Sequence, residues 1–126
     1  MKNLVLSFLF LLPLFFCNAE SNGEKNRKKE ISSVQMQKNA LLLDVRTKQE
    51  FAAGHLKGAI NIPRESIVAL SAEKGIKKDT PLYLYCRSGR RVKAAIKDLK
   101  KEGFTLLYDL GGMNEAGKKL SLPVVK

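Results

Sequence analysis
The chain has 126 residues, 44% of them hydrophobic, and 23 Lys and Arg against 12 Asp and Glu, a formal net charge of +11. That is room for one domain with one small core, and the hydrophobic fraction is ordinary for a globular protein. The positive field favours a small anion or an acidic surface as partner; nucleic acid does not fit a chain without interleaved aromatics.

Residues 1–19 differ from everything that follows. Lys2 is their only charge, and it precedes the apolar run Leu4 to Leu12, which resumes after Pro13 as "LFF". A short n-region, an h-region and the small residues of "CNA", Cys17 to Ala19, predict a cleaved export signal. A transmembrane helix needs about 20 apolar residues, and this run is shorter and broken by proline. A variant reading anchors the chain by lipid at Cys17, since "LFFC" loosely resembles a lipoprotein box, although Phe16 is bulky for that pattern. Either reading places the domain outside the cytoplasm, periplasmic or membrane-anchored. Cleavage removes one lysine and no acid, so the excess of base persists.

Residues 20–30, "ESNGEKNRKKE", contain no apolar side chain and read as a polar linker. The domain is expected over 31–126, with no internal repeat. "ALLLDV", Ala40 to Val45, is a strand covered on both faces. Thr47 with Glu50 forms a capping box for a short helix that stops at Gly54. "AINI", Ala59 to Ile62, is a second strand ended by Pro63. Ser66 to Lys74 is a helix with Gly75 at its stop, and "PLYLY", Pro81 to Tyr85, is a third strand. After "CRSG", Val92, Ala95, Ile96 and Leu99 recur at helical spacing, with Lys93, Lys97, Asp98 and Lys100 on other faces and Gly103 at the end. "FTLLYDL", Phe104 to Leu110, is a fourth strand, "GG" a tight turn, and Asn114 to Leu120 a last helix.

This alternation predicts an α/β fold: a mostly parallel central sheet flanked by helices on both faces. Ligands of such sheets sit at the carboxyl ends of the strands, and Cys86 stands at one. If Cys17 leaves with the signal or carries lipid, Cys86 is the only thiol in the mature chain. An unpaired thiol in an oxidising compartment is a liability unless it is used.

"CRSGRR", Cys86 to Arg91, joins a strand end to a helix start, where backbone N–H groups lack intrahelical partners. Gly89 lets the loop curl so that those donors converge on an anion. The helix end and Arg87, Arg90 and Arg91 add positive charge, which favours a thiolate over a thiol. A buried structural cysteine is the alternative, and three arginines beside it argue against apolar surroundings. Such a loop suits phosphoryl, arsenate or sulfur transfer. Cysteine phosphatases space the loop C-x5-R, which would require arginine where Val92 stands; here the spacing is C-x4-R, ending at Arg91. A ring one residue smaller fits a single sulfur atom on the cysteine better than a phosphoryl group.

Three stretches in order resemble the rhodanese family: "LLLDVRTKQEFAAGHLKGAINIP", Leu41 to Pro63; "YCRSGRR", Tyr85 to Arg91; and "DLGGMNEA", Asp109 to Ala116. The resemblance implies a rhodanese-like fold and a thiosulfate sulfurtransferase in which Cys86 carries a persulfide. It implies a small anionic sulfur donor, a thiol or cyanide as acceptor, and no cofactor or metal. Backbone amides of Arg87 to Val92, including those of Ser88 and Gly89, would hold the persulfide, while Arg87, Arg90 and Arg91 attract the donor. Asp44 and Arg46 support loops around the pocket, and Arg46 is also expected to pair with Glu50. His55, within "GHLKGA", is read as a turn residue rather than a base, and Met36 and Met113 as packing. Ala116 stands where the family commonly carries tryptophan, which implies a differently packed closing helix. Val92 replaces a small hydroxyl residue, which implies one hydrogen bond fewer to the loop. Two other readings stay open: a persulfide carrier or anion-binding module on the same fold, and, disfavoured by the spacing, a phosphatase or arsenate reductase.

Overall fold
The computed structural model describes residues 34–126. The expected export signal, Cys17 and the polar linker lie outside the described residues. Strand β1, Leu41–Asp44, is followed by helix α1, Lys48–Ala53, and strands β2, His55–Leu56, and β3, Ile60–Asn61. A 3-10 turn at Arg64–Ser66 leads into α2, Ile67–Glu73; then come β4, Leu82–Cys86, α3, Arg90–Lys101, β5, Leu107–Gly112, α4, Met113–Leu120, and β6, Val124–Val125.

Four strands form one sheet in the order β3-β1-β4-β5, and every pair in it is parallel. Parallel neighbours need crossovers, and α1, α2 and α3 supply them. Side chains alternate between the two faces of the sheet. Leu43, Val45, Leu82 and Leu84 therefore share one core with Ile67 of α2 and Val92, Ala95 and Leu99 of α3. Leu42, Tyr83 and Tyr85 share the other with Leu56 and Ala116 of α4. Helices cover both faces, as the unalternated apolar runs require.

α1 begins as the sequence predicts: Thr47 Oγ1 accepts from the Glu50 N–H at 3.2 Å, and Glu50 Oε2 accepts from the Thr47 N–H at 2.9 Å. α3 has Val92, Ala95 and Leu99 buried along one side. Two expectations need correction. β3 keeps only two of the four residues of "AINI". β5 starts at Leu107 rather than Phe104, because the Phe104 N–H is drawn back to the Leu99 carbonyl, which closes the end of α3, and the Thr105 N–H goes to the Lys78 carbonyl in the loop before β4. A small antiparallel sheet, in which His55 faces Val125 and Leu56 faces Val124, has no signal in the sequence, since strands of two residues carry no readable period.

Where the family commonly has tryptophan, Ala116 is fully buried. The adjacent Gly117 lets α4 settle close to the sheet, since a Cβ there would lie 3.2 Å from Leu56 Cδ2 and 3.3 Å from the Leu122 carbonyl oxygen. Under that helix the Tyr85 hydroxyl accepts from the Leu56 N–H at 3.0 Å. Burial pushes this phenol well above its ordinary range, so it stays neutral. Met36 and Met113 pack against the same core.

Leu43 and Leu84 are register partners at the centre of the sheet, and neither exposes any surface. Leu43→Ala should lower the unfolding free energy by about 2–5 kcal/mol in urea titration. A loss below about 1 kcal/mol would mean this face is not packed as described.

Candidate active site
Cys86 is the last residue of β4, and Gly89 is the residue that caps α3 three positions later. Gly89 has φ +88°, a left-handed conformation that costs glycine little. This turn brings the Gly89 N–H to 2.9 Å from Cys86 Sγ, to which it donates. A helix start with free donors thus faces the sulfur. Among the described hydrogen bonds, Gly89 alone of the expected run Arg87 to Val92 donates to the sulfur. Ser88 and Arg87 are exposed, while Val92 is buried in the core beneath the loop.

The loop is braced by the "GG" pair, which is not the tight turn the sequence suggests. Gly112 is register partner of Cys86 at the end of β5, beyond a local irregularity between Leu84 and Cys86. A Cβ on Gly112 would lie 2.7 Å from the Arg87 carbonyl oxygen, and a Cβ on Gly89 would lie 3.3 Å from Gly111 Cα. Backbone meets backbone here, and only glycine leaves room. Gly111, at φ +78°, donates its N–H to Asp109 Oδ1 at 2.8 Å.

Cys86 itself has no exposed surface and belongs to the apolar cluster that contains Ile62 and Val92. This corrects the expectation that three arginines keep it out of apolar surroundings. The reason is strand parity: position 86 points the same way as Leu82 and Leu84, into the core under α3.

The arginines go to different places. Arg91 forms a two-point ion pair with Glu50, Nη1 to Oε2 at 2.7 Å and Nη2 to Oε1 at 3.0 Å. The hydrogen bonds from Arg91 are the main reason the Glu50 carboxyl is held down to about 2, with the Thr47 N–H adding to them. Glu50 in turn raises Arg91. Arg90 faces a cleft that also holds Ser88, Lys93, Asp109 and Glu115. Arg87 faces a different pocket of 300 Å³, lined also by Arg46, Glu50, Ala53, Met113 and Asn114.

Arg46 does not pair with Glu50 as expected. It precedes the N-cap of α1, so helical spacing does not apply to it. Its Nη2 lies 2.7 Å from Asp44 Oδ2 and 2.5 Å from the Gly54 carbonyl oxygen, and both side chains of the Arg46–Asp44 pair are almost wholly buried. Asp44 also accepts from the Arg46 backbone N–H at 2.9 Å. The hydrogen bond to Asp44 raises the Arg46 guanidinium, against burial. Asn61, which no sequence motif singles out, donates to the carbonyls of Asp44 and Arg46 at 3.1 and 2.9 Å and fixes this wall to β3. His55 Nδ1 lies 2.9 Å from the Phe51 carbonyl oxygen, which can only accept, so Nδ1 carries the proton. Its ring stacks on Phe51 at 3.7 Å between centroids. Neither contact brings it to Cys86.

Gly112→Ala should cost about 1–3 kcal/mol of stability, because the added methyl collides with main chain and not with a side chain that can turn away. An unchanged melting temperature would contradict the described contact. The ionised Glu50 stabilises the fold above its ordinary value of 4.5, and that contribution is lost as pH falls toward about 2. The stability gap between the native chain and Glu50→Gln should therefore be full at neutral pH and shrink on acidification through that window. A gap independent of pH would show that Glu50 carries no charge-dependent contact.

A rhodanese-like domain model matches residues 28–119. The chain is 32% identical to the uncharacterized protein YqhL of Bacillus subtilis, over 95% of this chain and 97% of that one. It is 30% identical to the tRNA uridine(34) hydroxylase of Escherichia coli, over 85% of this chain but only 31% of that protein. A solved E. coli rhodanese with bound anions superposes with a TM-score of 0.62 at 29% identity, covering 69% of this chain and 98% of that one. The rhodanese-like domain of the Anabaena protein Alr3790 gives a TM-score of 0.62 at 26% identity, covering 69% and 99%. With the parallel sheet, the cysteine at its carboxyl end and the matched span together, the chain belongs to the rhodanese-like family.

Proposed function
We propose that this protein is a sulfurtransferase that moves a sulfane sulfur from thiosulfate or a similar donor to a thiophilic acceptor through a persulfide on Cys86. The observation that carries this reading is the Gly89 N–H aimed at Cys86 Sγ from the start of α3, 2.9 Å away. A donor so placed stabilises negative charge on the sulfur as it carries the added sulfur atom.

The Cys86 thiolate attacks the outer sulfur of thiosulfate. A new S–S bond forms, the bond to the sulfonate sulfur breaks, and its electron pair leaves with sulfite. Cyanide or a thiolate then attacks the outer sulfur of the persulfide and returns Cys86 to its thiolate, so no net oxidation occurs. Arg87 lines the pocket where an anion would approach, and Arg91, held by Glu50, fixes the first turn of α3 relative to α1. Cys86 has no exposed surface and lines neither pocket beside the loop, so a donor reaches it only when the groups that cover it move. That burial also favours a second reading, a carrier that shelters one persulfide without repeated turnover. We further propose that residues 1–19 export the domain. Among the described residues no helix is long and apolar enough to cross a membrane.

Intact mass spectrometry tests the transfer. Thiosulfate should add about 32 Da to the native chain and nothing to Cys86→Ser, and cyanide should remove the increment with thiocyanate formed over many turnovers. A single equivalent of sulfite without turnover would select the carrier; no mass gain at all would contradict both readings.

A further inference from the structure
Two of the three charged groups that line the pocket beside the cysteine loop are spent on partners outside the lining. Arg46 is bound to the buried Asp44. Glu50 lines the pocket with Arg91 bonded to both its oxygens, and Oε2 is also tied to the Thr47 N–H at 2.9 Å. Among the described residues, Arg87 is the one cation of this lining without an acidic partner. Ala53 and Met113 supply an apolar wall.

We propose that Glu50 is the specificity-determining residue of the donor pocket: by holding Arg91 in a neutral pair it limits the net charge of this pocket to that of Arg87. The pocket then favours a compact dianion less than two free arginines would, and a singly charged sulfane donor whose apolar body rests on Ala53 and Met113 can compete with it. This rests on the sulfur-transfer reading and names the donor class within it. The reason is Coulombic. A charge at the pocket acts on a dianion with twice the energy it exerts on a monoanion, so gain or loss of one charge changes the ratio between the two donors. Glu50 is suited to this control because α1 holds its carboxylate in place, with its conformation set by the capping box. The depressed protonation of Glu50 keeps the carboxylate charged at neutral pH.

Thiosulfate and methanethiosulfonate make the comparison, since a methyl group in the second replaces one charged oxygen of the first. In both, Cys86 attacks the sulfane sulfur; sulfite leaves in one case and methanesulfinate in the other, each with the electron pair of the broken S–S bond. The readout is the ratio of kcat/KM for thiosulfate to that for methanethiosulfonate, with cyanide as acceptor at low ionic strength. Glu50→Gln should raise this ratio about threefold to tenfold, mainly through the KM for thiosulfate. Glutamine still serves as the third residue of a capping box, so α1 is retained. Arg91→Gln, which leaves Glu50 uncompensated, should lower the ratio by a similar factor. Both shifts should fade at about 0.5 M salt. A merely structural role would move both variants in the same direction, and that result, or a ratio unmoved in both, would overturn the inference while leaving sulfur transfer intact. If the native chain takes sulfur from neither donor, the transfer reading itself fails and the inference falls with it.

Discussion
The contact between the glycine end of β5 and the backbone of the cysteine loop shapes the rest of the site. Gly112 lies against the Arg87 carbonyl and Gly89 against Gly111, so two stretches of main chain touch without side chains between them. That approach presses the loop into the curl in which the Gly89 N–H reaches Cys86 Sγ. A preformed donor of this kind needs no reorganisation when negative charge gathers on the sulfur. The neighbouring strand, as much as the loop's own residues, sets the geometry around Cys86.

Around this centre the charged residues divide into pairs with separate duties. Arg46 and Asp44 are buried together and, with Asn61, fix the wall at the ends of β1 and β3. Breaking one side of such a pair leaves an uncompensated buried charge, which costs far more than the pair itself contributes. Glu50 and Arg91 join α1 to the first turn of α3 across 41 positions of sequence. This second pair is partly exposed, and its weight lies in where it puts charge more than in stability. A chain rich in arginine around its cysteine thus presents much less free positive charge to the pocket than its sequence suggests.

What the sequence reveals depends on the range of the signal. β1 and β4 are legible as unbroken apolar runs and α3 by its helical period, because these signals are local and long enough to count. The capping box at Thr47 and Glu50 is legible for the same reason, and the cysteine loop stands out by its spacing. The Glu50–Arg91 pair is not legible, since nothing in either neighbourhood points to the other. Gly111 and Gly112 mislead because a turn and a close backbone approach ask for the same residue type. The burial of Cys86 was within reach: counted by twos along β4 with Leu82 and Leu84, position 86 falls on the buried face.

The central claim is that the loop built by Gly89, Gly111 and Gly112 holds a sulfur-bearing anion on Cys86. A crystal structure of the thiosulfate-treated protein tests it most directly. The account predicts one added sulfur bonded to Cys86 Sγ, within hydrogen-bond reach of the loop amides and with the Gly112 contact to Arg87 preserved. An unmodified Cys86 under a closed loop, or an added sulfur turned away from those amides toward the apolar core, would contradict it.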